Sequence, residues 1–129
     1  MSKGNNMNVI KKVKILGETW KIIITADETK YIGLEDANGY CDNSDRFCII
    51  ENQIGNKEFE LKNPKGFMKR TVRHEITHAF LFESGLAHSS LNYQNGWAMN
   101  EEMIDWIAKN IDRILKVCNE IDLVIDKMQ

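Results

Sequence analysis

The chain changes its hydrophobic rhythm near its midpoint. From Val9 to Leu16 and again from Thr19 to Thr25, apolar and polar residues alternate loosely, and the second run is rich in β-branched and aromatic side chains. That is the period of strands, and Gly17-Glu18 between the runs offers a tight turn. Tyr31–Leu34, Gly39–Cys41 and Phe47–Ile50 read as further strands, with the turn-forming cluster Asp42-Asn43-Ser44-Asp45 between the last two. The second half follows a helical period instead. Asn63-Pro64 is a start signal, because asparagine caps a helix and proline is tolerated in its first turn. The helix should run over about 64–84 and stop at Gly85. Val72, Ile76, Ala79, Phe80 and Glu83 form or border its inward stripe. Leu86–Trp97 has loop composition. A last amphipathic helix is expected over about 98–127, with a break near Asn119, carried by Ile104, Ile107, Ile111, Ile114, Leu115, Cys118, Ile121 and Ile125. The expected fold is α+β: an N-terminal antiparallel β-meander packed on these two helices.

With 129 residues, 43% of them hydrophobic, the chain suits one domain, residues 1–129, with a single core. Residues 1–8 are polar and read as a loose end. The net charge of −2 gives no reason to expect nucleic acid as the main partner. No apolar run is long enough for a membrane span or signal core, so a cytoplasmic protein with reduced thiols is expected. Cys41, Cys48 and Cys118 include no Cys-x-x-Cys pair, which rules out a zinc ribbon. Cys41 and Cys48 can face each other across a hairpin, and buried free thiols are the expected state.

The chemistry is concentrated in His74-Glu75-Ile76-Thr77-His78, which uses two of the three histidines. Residues four apart share a helix face, so both imidazoles can converge on one metal ion. Glu75, one residue after the first histidine, sits where it can take a proton from a metal-bound water. His74 and His78 turn away from the apolar stripe and should line a cleft. A catalytic zinc takes three protein ligands and keeps a position open. Downstream, Asn100-Glu101-Glu102-Met103-Ile104-Asp105 offers Glu101 as the third ligand, with Glu102 as second choice. Asp105, on the same helix face as Glu101, suits a hydrogen bond to a ligand imidazole.

Between Thr71 and Ala108, these short motifs resemble the gluzincins, the thermolysin-type metallopeptidases. The chain's small size and strands-then-helices order are closer to two compact groups, the minigluzincins and the ImmA/IrrE-like peptidases of mobile elements, which cleave repressor proteins. The resemblance implies a zincin-like fold and one zinc ion held by His74, His78 and Glu101. It also implies Glu75 as general base, Asp105 as the carboxylate supporting a ligand imidazole, and a peptide or protein substrate, such as a repressor. Thermolysin relatives stabilise the oxyanion with a tyrosine and a distant histidine, yet no tyrosine or histidine follows Glu101 here. Tyr93 and His88 are the nearest candidates for that role, followed by Arg73 or Arg70. An extended substrate would pair with an edge strand, for which Phe47–Ile50 is the candidate.

Three rivals remain. A deformylase-like site would recruit Cys48 as a ligand, although that family's other segments are absent. A catalytically silent zinc-binding protein, an antirepressor or adaptor, would hold the metal and a partner without cutting. A SprT-like DNA–protein crosslink protease is disfavoured by the missing zinc ribbon and the near-neutral charge.

Overall fold

The computed structural model describes residues 8–55, 61–85 and 101–129, except for the side chains at 101–105 and 108. Four strands, β1 (Val9–Ile15), β2 (Glu18–Thr25), β3 (Gly39–Asp42) and β4 (Phe47–Glu51), precede two helices, α1 (Pro64–Glu83) and α2 (Glu101–Asp126).

The first hairpin forms, with its turn one residue earlier than the expected Gly17-Glu18. Ile15 pairs with Glu18, leaving Leu16 and Gly17 as a two-residue loop, both at positive φ (49° and 87°). This left-handed pair matches the twist of the flanking strands. Beyond it the expected meander gives way to a mixed sheet of order β1-β2-β4-β3. β4 runs parallel to β2, with Lys21 opposite Phe47 and Thr25 opposite Glu51, while β3 returns antiparallel on the outside. Consequently Phe47–Ile50 is an interior strand and the edges are β1 and β3.

The stretch from Tyr31 to Leu34 is not a strand either. Asp27 Oδ1 accepts the backbone N–H groups of Thr29 and Lys30 at 3.1 Å, curling the chain just before a 3-10 turn at Ile32–Glu35. That turn presses Leu34 onto Ile23 and Ile49, with Tyr31, Tyr40 and Phe47 around them. A small second core thus covers one face of the sheet. The other face carries Trp20, Ile22, Ile24, Cys48 and Ile50 into the main core beneath the helices. The uninterrupted Ile22-Ile23-Ile24 run is the sequence mark of a strand covered on both faces.

α1 matches its expected bounds. Asn63 Oδ1 accepts the Gly66 N–H at 2.9 Å, Pro64 takes the first turn, and Gly85 at φ 82° closes the helix. Met68, Val72, Ile76, Ala79 and Phe80 are its buried residues, and α2 contributes Val117, Cys118, Ile121 and Ile125. α2 runs unbroken through Asn119, because no proline or glycine interrupts it. The two helices are antiparallel and stitched by charge. The Arg73 guanidinium donates to both carboxylate oxygens of Asp122 at 3.2 and 2.8 Å, and Lys69 meets Asp126 at 2.7 Å. No helix among the described residues is long and apolar enough to cross a membrane.

Candidate functional site

Two residues on from Ile76 is a rotation of about 200° around a helix, which carries His74 and His78 to the side opposite the core. Both are exposed. Their Nε2 atoms stand 3.1 Å apart, with ring centroids at 4.7 Å and planes at 70°. Two zinc–nitrogen bonds of about 2.0–2.1 Å would bridge that span at an N–Zn–N angle of about 100°, close to tetrahedral. The spacing of the two nitrogens is thus compatible with a single metal ion, and as they stand one ring nitrogen can donate to the other.

Glu75 is turned toward the sheet and is only 5% exposed. It is held there by an approach that only a glycine permits. A Cβ on Gly39, the first residue of β3, would lie 2.8 Å from both the Ile49 carbonyl oxygen and Thr71 Cγ2, and 3.3 Å from Glu75 Cγ. Where β3 leaves α1 a cleft of about 430 Å³ opens, lined by Asn38, Gly39, Arg70, Thr71, His74 and Glu75. One histidine of the pair and the glutamate thus share an open concavity bordered by an edge strand.

Beneath Glu75 lie two thiols, directly opposed across β3 and β4. Cys41 Sγ is 3.2 Å from Cys48 Sγ and donates to the Glu75 carbonyl oxygen at 3.1 Å. The hydrogen bond with Cys48, then burial, then the charges of Cys48 and Glu75 push the Cys41 thiol far above its ordinary range, so it stays protonated. Cys48 is fully buried, its Sγ 3.7 Å from the same carbonyl, beneath the helix rather than on the histidine face. That placement argues against the deformylase-like ligand set.

The two arginines offered as fallback oxyanion donors separate clearly. Arg73 is committed to Asp122 and to the Lys69 carbonyl. Its guanidinium is pushed further up by the Asp122 hydrogen bonds. Arg70 faces the cleft with His74 and Glu75. Tyr93 and His88 lie outside the described residues. Glu101 and Asp105 open α2, but their side chains are likewise outside the description. Their backbone sits 21 and 17 residues before Asp122, about 31 and 25 Å of helix from the level at which Arg73 meets α2. The described residues bring His74, His78 and Glu75 together on one helix. Among the described residues, no third His, Cys, Asp or Glu completes a metal-binding group with the histidines.

Asn38, Gly39 and Arg70 were not singled out as one site by the sequence pattern. The only available signal was an isolated glycine at a strand start, which marks close backbone approach. No family model, curated protein or solved structure matches this chain.

Proposed function

We propose that the chain is a zinc-dependent peptidase acting at the cleft between α1 and β3. The observation that carries the reading is the His74–His78 pair, spaced for a tetrahedral metal and adjoining a cleft shared by His74 and Glu75. His74 and His78 are the proposed ligands, Glu101 the third, and Asp105 the carboxylate supporting a ligand imidazole. A bound zinc ion would supply Lewis acidity to the scissile carbonyl and lower the pKa of a water molecule.

The chain's own residues do the rest. β3, rather than Phe47–Ile50, is the edge strand beside the cleft, so an extended peptide would pair along Gly39–Asp42. Glu75, shielded by β3 yet lining the cleft, accepts a proton from the attacking water and returns it to the leaving amine. Arg70 is the described cation closest in role to an oxyanion donor, with Tyr93 and His88 proposed alongside it. A peptide or protein substrate, a zincin-like fold and a cytoplasmic location belong to the same proposal.

Ligation by Glu101 carries a structural requirement. The first turns of α2 must lie near the outer face of α1. A second reading, a zinc-binding interaction protein that does not cut, rests on the same histidine pair.

Elemental mass spectrometry on wild type, Glu101→Ala and Glu75→Gln, beside a peptide-library cleavage assay, separates the two. The peptidase should hold one zinc per chain, lose it in Glu101→Ala and keep it in Glu75→Gln. Turnover in Glu75→Gln should fall roughly a hundredfold or more, as loss of a general base implies. Bound zinc with no cleavage of any peptide would leave the non-cutting reading.

A further inference from the structure

A second cleft, at about 720 Å³ larger than the one of about 430 Å³ at the histidines, lies elsewhere on the molecule. It lies along β1, the other edge of the four-stranded sheet. Three interstrand spacings, about 14 Å, separate the two edge strands, and the two clefts share no residue.

Its charge is one-sided. Lys12 and Lys14 come from β1, Arg113 and Lys116 from α2, and Glu120 is the single acidic residue in the lining. This stands out in a chain with 17 basic and 19 acidic residues. Lys14 donates to Thr19 Oγ1 at 2.7 Å, but none of the four cations forms an ion pair among the described residues. Leu16 and Val117 add apolar surface between them.

The arrangement follows from strand geometry. Val13 and Ile15 are buried toward the helices, so Lys12 and Lys14 project from the opposite face of β1. Arg113 and Lys116 approach from the helix side. The outer edge of β1, unpaired among the described residues, therefore runs between two pairs of cations, one on each face of the sheet. An extended segment added to that edge would send alternate side chains to both faces, where acidic ones meet both pairs.

We propose that this edge is a docking site for an acidic, extended segment of a partner protein, bound as an added strand on β1. Lysines on a strand edge repel basic strands and lose hydration without compensation beside neutral ones, which gives the site its selectivity. The apolar surface between the cations and the chain's overall negative charge favour a peptide over a nucleic acid. The inference does not depend on the peptidase reading.

A fluorescein-labelled peptide of about six residues, the usual strand length, with its glutamates in adjacent pairs separated by two valines so that both faces of the added strand carry acidic side chains, is the probe. Anisotropy is read at low salt and at about 0.15 M, where charges are screened beyond about 8 Å. The acidic peptide should bind, and its glutamine counterpart should bind roughly tenfold more weakly or worse. The exposed variants Lys12→Gln and Arg113→Gln, with unchanged circular dichroism, should each weaken binding. N-methylation of alternate peptide amides, made in each of the two possible phases, should abolish binding in at least one, since strand addition needs the N–H groups that face β1. Equal binding of both N-methylated peptides, of the glutamine peptide, or of a single-stranded oligonucleotide of matched charge would each overturn the proposal. So would the absence of any binding.

Discussion

Cys118 shows how a single side chain couples the core to pH. It is fully buried on α2, and burial first of all pushes its thiol up to about 11 from an ordinary 9.0. Arg73 partly offsets that rise and Asp122 adds to it. The unfolded chain releases the proton first as pH increases. The stability held by the neutral thiol is therefore complete below about pH 9 and is lost as pH climbs through about 11. Urea titrations of wild type and Cys118→Ala between those values should diverge in slope, with the variant flatter, whatever offset its smaller side chain adds at neutral pH. Parallel slopes would mean the thiol does not report its burial. Leu16 makes a complementary point: its φ of 49° is imposed by the two-residue hairpin, a conformation leucine seldom adopts.

Elements here are joined by a few specific contacts, and two of them can be tested directly. Glu83, in the last turn of α1, accepts from the buried Trp20 Nε1 at 2.8 Å and from Arg46 Nε at 2.5 Å, tying α1 to β2 and to the β3–β4 turn. Its side chain is 8% exposed, so Glu83→Ala strands a buried indole N–H as well as losing an ion pair. A loss of about 2–3 kcal/mol is expected in chemical denaturation, with Glu83→Gln milder because it keeps an acceptor. At the cleft, Gly39→Ala would drive a methyl group into backbone and side-chain atoms at 2.8 Å. It should cost about 1–3 kcal/mol and move β3 off α1. If the cleft is catalytic, activity should fall further than stability accounts for, and intact stability with intact activity would show that the close approach is dispensable. The helical elements were legible in the sequence because each signal is local: the cap at Asn63, the stop at Gly85 and the apolar stripe between them. The conformation of Tyr31–Leu34 is not legible locally, because its apolar residues fit a strand while the decisive Asp27 turn precedes it.

At the scale of the molecule, the open question is the reach of α2. Glu101 starts a helix whose other end is pinned to α1 by Arg73–Asp122 and Lys69–Asp126. A centre made by His74, His78 and Glu101 therefore requires metal binding and the path of α2 to be coupled. Zinc should slow amide exchange across residues 101–112 in the wild type, and Glu101→Ala should remove that protection. His74→Ala should remove both protection and metal. Bound zinc with unchanged exchange in this segment would identify a site built on the two histidines without Glu101.

What the sequence determined alone is what repeats or sits within a turn or two of itself. Strand and helix periods, the caps of α1 and the pairing of His74 with His78 on one helix face are all set by short-range geometry. Only the tertiary structure decided that β4 lies inside the sheet, that β3 and β1 are its edges, and that Gly39 closes over Glu75. It also decided that four cations surround an open strand edge. Alternation specifies which face of a strand is buried but not which strand lies beside it. Neighbours are chosen by packing between distant segments, and the two clefts exist only where those choices leave an edge uncovered.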